Sequence, residues 1–464
     1  MKAINREILR LAIPSILANI TVPIVGMVDI AVSGHLSGAA AASIGGISIG
    51  SMLFDLLYWN FAFLRAGTGG LTAQAYGRGD MAACARTFFR GIALSLALAV
   101  FVLAIQVPFT KLAFLVIDCT PEVKELALQY YYIRIWAAPA TLSLMTFRGW
   151  FIGMQDTVSS MWTDLVVNGV NIVASIVLAL GVGGWSGLGF RGVAFGTLAA
   201  QYSGLAFAIC AVLVKYRGKV FSGMGLRDAL SSLDRSDLKG FFSLNADLLL
   251  RSFGFILIYI GFTIISARFG DLMLASSAIM MKLLMIFSFF TDGFAYAGQA
   301  LTGKFIGARD YPAMRGSVKA VFNWSLGVAA LFIGIYWALG VPLLRLMTSD
   351  AEVVQACRQF LPWLIAMPPL GCAAFTWDGI YEGATASRPI RDAMLAAALS
   401  FFLCWFGGKA ILDGISPNSY EATAIHILLG AYFIHLLTRT VWLSAAYRKS
   451  IPGASANSGS ERLE

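Results

Sequence analysis

"GLTAQAYGRGD", residues 70–80, returns 230 positions later as "ALTGKFIGARD", residues 300–310. Leu71 pairs with Leu301, Thr72 with Thr302, Gly77 with Gly307 and Asp80 with Asp310 at that spacing. The same offset joins Glu122, Val123 and Gln129 to Glu352, Val353 and Gln359, and Pro139, Gly149 and Gly153 to Pro369, Gly379 and Gly383. Three separated stretches at one spacing mark a duplicated chain.

Composition says what was duplicated. Hydrophobic residues make up 58% of the chain and charged residues 13%, with a mean hydropathy of +0.75. A soluble domain is about 45–50% apolar and cannot bury so much more. Lipid is the solvent that fits, so the class is an all-α polytopic membrane protein. Hydropathy and turn signals predict about twelve spans of roughly 20–28 residues, among them 11–34, 126–153, 161–182 and 356–383. The start, "MKAINREILRLAIP", carries no short apolar core followed by a small-residue cleavage site, so it is expected to stay on the protein. The six cysteines are scattered and read as small apolar residues, without disulfide or metal spacing.

Charge orients the spans. Lys2, Arg6, Arg10, Arg78, Arg86, Arg217, Lys304, Arg309, Arg388, Arg448 and Lys449 gather on one side, and the loops "GHLSGAAAAS" and "GVGGWSGLGF" opposite are nearly bare. The positive-inside rule places both termini in the cytoplasm, and the net charge of +9 is read as cytoplasmic loops, with no nucleic-acid partner. Six spans per repeat return the chain to its starting side, so the repeats run parallel around an axis along the membrane normal, with a central cleft between two lobes. The expected division is an amino-terminal lobe at 1–214, a cytoplasmic linker at 215–240, a carboxy-terminal lobe at 241–450 and a disordered tail at 451–464.

"LRLAIPSILANITVPIVGMVDIAVSGHL", "FLRAGTGGLTAQAYGRGD", "TDGFAYAGQALTGKFIGARD" and "WDGIYEGATASRP" together resemble the multidrug and toxic compound extrusion (MATE) transporters, in particular their bacterial DinF-type branch. The likeness runs from Ile8 to Arg448. It implies two six-helix lobes around a central chamber in a bacterial cytoplasmic membrane. It also implies a monomer that exports organic, often cationic or amphipathic xenobiotics in exchange for protons or sodium, without a cofactor.

Asp29 stands out first. It sits mid-span in "NITVPIVGMVDIAVSGHL", residues 19–36, with no basic neighbour in sequence. A charge at such a depth costs about 2.5–3.5 kcal/mol on insertion scales. Facing a water-filled cavity, it can take up a proton from one side and release it to the other. The plainer alternative is a hydrogen-bonded residue that only fixes helix packing. The family's matching first-helix Asp is implicated in cation coupling. Pro14 and Pro23 lie in the same span, where proline removes a backbone hydrogen bond and kinks a helix; the kink is either static or a hinge that answers Asp29.

In "WTDLVVNGVNIVASIVLAL", Asp164, Asn168, Asn171 and Ser175 follow at steps of four, three and four, which puts them on one helix face. Asp29 is their natural partner, interhelical glue the alternative. Related MATE proteins often carry Asp where this chain has Ser175, which argues against a two-carboxylate relay. Thr197 matches a sixth-helix Thr of the family. Asp164, near the span end, is expected to be solvated.

Asp55 and Asn60 lie on the second span, with Asp55 either a second titratable group or a partner of Arg65. In the second repeat, Asp247 and Arg251 are expected to pair within one helix. Lys282, Asp292, Asp378 and Glu382 serve either lobe packing or a substrate or cation site, with Lys282 expected to pair with Glu382 or Asp378. Met280, Met281 and Met285 suit a lipid-facing helix or a promiscuous binding wall.

His35, His426 and His435 form no catalytic or metal arrangement. "GGISIG" and "GTGG" lack the Lys-Ser/Thr of a P-loop, so ATP coupling and enzyme chemistry find no support. A proton-coupled exporter working by alternating access is the reading the sequence favours, with sodium coupling as an alternative. A lipid-linked precursor flippase needs a strongly basic cleft, for which only Arg65, Arg134, Arg148 and Lys282 are available. A channel or membrane enzyme is disfavoured by the duplication.

Overall fold

The computed structural model describes residues 2–34, 40–115, 117, 119–222, 235–348, 350–415 and 420–455. Among these the chain is helical, without a strand. It divides into two compact units: Leu17–Phe241, and Met1–Ile16 together with Phe242–Glu464. The first sixteen residues, which the sequence assigns to the amino-terminal lobe, therefore pack in the carboxy-terminal unit. Ile8, Leu11 and Ala12 are buried there, Glu7 holds Lys304 at 2.5 Å, and Trp324 Nε1 donates to Asn5 Oδ1 at 3.3 Å.

The elements of the first repeat are α1 (Lys2–Gly34), α2 (Ala40–Tyr58), α3 (Phe63–Gly77), α4 (Met81–Ala113), α5 (Pro121–Arg134), α6 (Ala138–Gly153), α7 (Thr157–Leu180) and α8 (Phe190–Tyr216). Short 3-10 turns, Trp59–Phe61 and Ile135–Ala137, join α2 to α3 and α5 to α6. The second repeat has α9 (Arg235–Ala267), α10 (Gly270–Gly307), α11 (Tyr311–Met347), α12 (Ala351–Arg358), α13 (Leu361–Gly383), α14 (Ser387–Ile415) and α15 (Tyr420–Ser450). The starts of α2 and α10, α4 and α11, α5 and α12, α7 and α14, and α8 and α15 differ by the same 230 residues as the sequence motifs.

The repetition reaches single hydrogen bonds. Asp80 caps α4 by accepting from the Ala83 N–H at 2.8 Å, and Asp310 caps α11 from the Ala313 N–H at 3.0 Å. Such a carboxylate satisfies one of the unpaired donors at a helix start. The turn before each cap uses a left-handed residue, Gly79 at φ 73° and Arg309 at φ 57°. Within the bundles, Ser95 and Thr146 share a hydroxyl bond at 2.7 Å, as Thr376 and Ser325 do at 2.8 Å.

The motif glycines explain why both copies need them. A Cβ on Gly149 would lie 2.2 Å from the Arg65 carbonyl oxygen, and one on Gly379 would lie 2.0 Å from that of Ala295. Small residues let helix backbones touch where lipid supplies no hydrophobic drive for helix association.

Ten described helical segments are long and apolar enough to span a membrane, or eleven if α12 and α13, bent by 55° at their junction, count as one. The expected span at 126–153 is the difference. There α5, with Glu122, Lys124, Glu125 and Arg134, ends after 14 residues, and α6 has only 16. Each is short of the roughly 20 residues a single span requires.

Met280 and Met281 are buried in the carboxy-terminal core beside Phe287 and Leu364, so they are packing residues, neither a lipid face nor a binding wall. The described cysteines are free. Residues 451–455, expected in a disordered tail, are packed: Ile451 is buried and Arg315 Nη1 donates to the Gly453 carbonyl at 2.6 Å. The rest of that tail, residues 223–234 of the expected linker and His35 lie outside the described residues.

Gly149→Ala and Gly379→Ala are each expected to destabilise their unit by about 1–3 kcal/mol through overpacking. Gly327→Ala, whose Cβ meets nothing within 4 Å, is the control. Thermal melts in detergent should show a lower Tm for the first two variants and none for the third.

Candidate functional site

In the amino-terminal unit the polar residues singled out from the sequence converge. α1 runs without a break through Pro14 and Pro23 and presents two polar positions toward α7. Asn168 Nδ2 donates to Thr21 Oγ1, and two turns further along Asp29 lies beside Ser175. Asn171 Nδ2 donates to Thr197 Oγ1 at 3.0 Å, and that hydroxyl donates to the Val193 carbonyl at 3.2 Å, tying α7 to α8. The tie is possible because Gly196 brings the helices together: a Cβ there would meet Ser175 Oγ at 2.7 Å.

Asp29 is only 7% exposed, Asn171 3%, Thr197 4%, and Ser175 is fully enclosed. Asp29 Oδ1, Ser175 Oγ and Asn171 Oδ1 are all buried without a hydrogen-bond partner. Unsatisfied buried polar atoms are rare because each carries a desolvation cost. A bare Asp29 oxygen and the Ser175 hydroxyl beside the carboxylate have a use for a proton on Asp29, which would turn an acceptor into a donor.

The sequence left Arg134 as a general basic residue. The structure makes it the cation of this site. It lies within electrostatic reach of both Asp29 and Asp55. Its guanidinium stacks over the Phe54 ring at 4.5 Å and the Tyr130 ring at 5.5 Å, and Nη1 donates to Tyr130 Oη at 3.0 Å. Gly46 and Gly50 on α2 make this possible, since a Cβ on either would strike Leu126 at 2.7 Å or Tyr130 at 2.5 Å. Positions 46, 50 and 54 thus face 126, 130 and 134, one turn apart on each helix. "GGISIG" is the groove for α5. Asp55 is exposed and interacts with Arg134.

Asp164, expected to be solvated, instead pairs with Arg148 of α6 at 2.5 Å. At the α7 start, Asp156 collects a bond from the Ser159 hydroxyl at 2.7 Å, from Tyr216 Oη at 2.8 Å, from the Ser159 N–H at 3.1 Å and from Lys215 Nζ at 3.1 Å. Burial works to raise its pKa, but these donors together hold it below the ordinary value of 3.8.

The carboxy-terminal unit treats its charges differently. Arg251 reaches from α9 to α13, donating to Asp378 Oδ2 at 2.7 Å and Glu382 Oε1 at 2.9 Å. Arg439 of α15, 2% exposed, also binds Asp378 Oδ2. Asp247 takes Arg391 Nη1 at 2.6 Å and the Ser387 hydroxyl at 2.7 Å from α14. The expected Asp247–Arg251 pair is therefore replaced by two interhelical ones, which reach more of the bundle than an i,i+4 bond. The expected Lys282 pair is also replaced: Lys282 is exposed, and arginines, which bond carboxylates in a planar fork, occupy its place. Asp292 lies within electrostatic reach of Arg251. Arg439 was detectable as a lone cation in the last span; its partner 61 residues away was not.

Fold and site define a multi-pass, all-helical membrane protein with ionisable side chains inside its bundles. The MatE family model matches residues 14–177 and 248–406, once in each repeat. The chain is 33% identical to the DNA damage-inducible protein F of Escherichia coli over 414 residues, 88% of each chain. It is 24% identical over 392 residues to a probable multidrug resistance protein NorM of Photorhabdus laumondii, 84% of each. A crystal structure of MATE in the bent conformation superposes with a TM-score of 0.81 at 17% identity, covering 96% of this chain and 97% of that one. An outward-facing multidrug resistance MATE family transporter gives 0.80 at 16%, covering 96% of each chain; at such identities the likeness is one of fold. The chain belongs to the MatE family: it is a MATE efflux transporter and not an enzyme.

Arg439→Leu leaves Asp378 to Arg251 and should cost about 1–3 kcal/mol, whereas Asp378→Asn, which takes the carboxylate from both arginines, should cost about 3–5 kcal/mol, both read as Tm in detergent. Asp156→Asn should lower Tm at neutral pH. Because Asp156 has a depressed folded-state pKa, its contribution is complete above 3.8 and fades as pH falls through the lower folded value, so wild-type and variant melts should converge in acid.

Proposed function

We propose that the protein exports organic cations and amphipathic compounds in exchange for protons, with Asp29 as the group whose charge alternates. The observation that carries this reading is the contrast between the units. Asp378, Glu382 and Asp247 are bound directly by arginines, and although Asp378 Oδ1 is, like Asp29 Oδ1, buried without a hydrogen-bond partner, its other oxygen holds two guanidinium groups, whereas Asp29 has only Arg134 at a distance. A carboxylate held by guanidinium N–H donors has little reason to take a proton; one beside a hydroxyl and bonded to no cation has a direct one.

In the proposed cycle, an external proton neutralises Asp29 and weakens its hold on a bound cation, which leaves outward. A cation arriving from the cytoplasm favours the ionised form and drives the proton inward. The protein works as a monomer in a bacterial cytoplasmic membrane with both termini inside, in keeping with the basic loops. Substrate breadth is in keeping with the relatives described as multidrug resistance proteins.

Sodium is the second reading, favoured by one observation. Asp29 Oδ1, Asn171 Oδ1 and Ser175 Oγ are three oxygens of the kind a small hard cation collects. Proteoliposomes with an imposed pH gradient or an imposed sodium gradient separate the two. Export of a fluorescent cation should follow the pH gradient in wild type and fall to the leak rate in Asp29→Asn. Undiminished proton-driven export by that variant would remove Asp29 from the mechanism, and export driven by sodium alone would favour the second reading.

A further inference from the structure

Where α9 and α14 end and α15 begins, the carboxy-terminal unit encloses a cavity of about 410 Å³. Helix ends lie at the depth where lipid headgroups meet water, and Trp and Tyr gather there because each ring is apolar with one polar edge. This cavity has such a wall. Phe269 packs edge-on to Trp405 at 5.9 Å and tilted to Tyr420 at 6.3 Å, and Phe406 stands exposed beside them. An apolar ridge leads away from it along α14: Leu395, Leu399, Leu403 and Phe406, at steps of four, four and three, are all exposed. They share one helix face, so the cavity opens at the end of a surface suited to acyl chains.

Its charges set it apart from an ordinary solvated rim. Lys409 is already matched, with Nζ 2.5 Å from Asp413 Oδ2, and the Tyr420 hydroxyl bonds the same carboxylate. Arg268, in the turn after α9, and Glu421, in the first turn of α15, line the same cavity. Neither pairs with the other, or with any other side chain among the described residues. The turn itself is held by the backbone: the Arg268 N–H donates to the Ile265 carbonyl and the Phe269 N–H to the Ser266 carbonyl, each at 3.2 Å. An uncommitted cation and an uncommitted anion in one aromatic-walled cavity match a ligand that carries both signs.

The duplicated frame does not demand these residues. Trp405, Phe406, Lys409, Tyr420 and Glu421 correspond to Ser175, Ile176, Ala179, Phe190 and Arg191 in the first repeat. The same helices are built there without the indole, the lysine or the acid.

We propose that the cavity binds the headgroup of an aminophospholipid, with the phosphodiester on Arg268, the ammonium between Glu421 and the aromatic wall, and a chain along the Leu395–Phe406 ridge. A headgroup of both signs satisfies both residues. An anionic one such as phosphatidylglycerol satisfies Arg268 but is set against Glu421. An ammonium also gains from the ring faces. The site belongs wholly to the carboxy-terminal unit and does not depend on which ion drives export.

The test is native mass spectrometry of the delipidated full-length protein, given equal amounts of dioleoyl phosphatidylethanolamine and dioleoyl phosphatidylglycerol. Wild type should retain more of the first lipid. Arg268→Gln should lower phosphatidylethanolamine retention about threefold to fivefold, the size of one exposed charge pair. Glu421→Gln should lower the ratio of phosphatidylethanolamine to phosphatidylglycerol by about the same factor, because it removes both the partner of the ammonium and the repulsion of the anionic lipid. Both positions are exposed, so thermal melts should show each variant folded as wild type. Arg191→Gln, at the counterpart of Glu421, is the control and should change neither reading. Equal retention of the two lipids by wild type overturns the proposal. So does unchanged retention in Arg268→Gln, an unchanged ratio in Glu421→Gln, or an equal loss in Arg191→Gln.

Discussion

A charged side chain inside a bilayer must be neutralised by a partner, a proton or water, and the two units answer that demand in different ways. In the carboxy-terminal unit the answer is permanent. Arg251, Arg391 and Arg439 bind the carboxylates of neighbouring helices directly, so charge becomes interhelical cement. Removing a member of such a pair is far more disruptive than removing both. In the amino-terminal unit Arg148 and Asp164 pair in the same way, but Arg134 stacks on an aromatic platform and reaches Asp29 only at a distance.

Duplication makes this division of labour visible. Backbone devices are the same in both halves: the Asp80 and Asp310 caps, the left-handed turns at Gln155 and Thr385, and the glycines at 149 and 379 pressed on a neighbouring helix. The ionisable residues are not. Position 148 is an arginine paired with Asp164, and its counterpart 378 is an aspartate paired with arginines. Two copies of one frame have kept the parts that make helices meet and diverged in the parts that carry charge.

How far the sequence discloses this follows from the range of each signal. Repeat, helical class and the polar stripe of α7 depend on spacing along the chain; on that stripe Ser175 lies beside Asp29 and Asn171 bonds Thr197 of α8. Ion-pair partners are another matter. Arg251 had an acceptable partner four residues away in Asp247, yet both bond across the bundle, to residues more than 120 positions on. A local rule that is worth only about 0.2–0.5 kcal/mol per pair gives way readily to tertiary placement. Arg134 was visible as a cation between apolar residues, but its stacking depended on how closely Gly46 and Gly50 admit α5. The break at Ile135–Ala137 was hidden because hydropathy averages over a window and α5 and α6 are continuous in it.

The first helix has a consequence for biosynthesis. Its opening residues settle against α10 and α11, where Glu7 waits for Lys304, 297 residues downstream. At about 5–20 residues per second, translation delivers that lysine roughly 15–60 s after the glutamate. During that interval Ile8, Leu11 and Ala12 lack their final neighbours, although the rest of the same helix already has its own. These residues are thus made well before the partners they pack against, and are among the last to find their place.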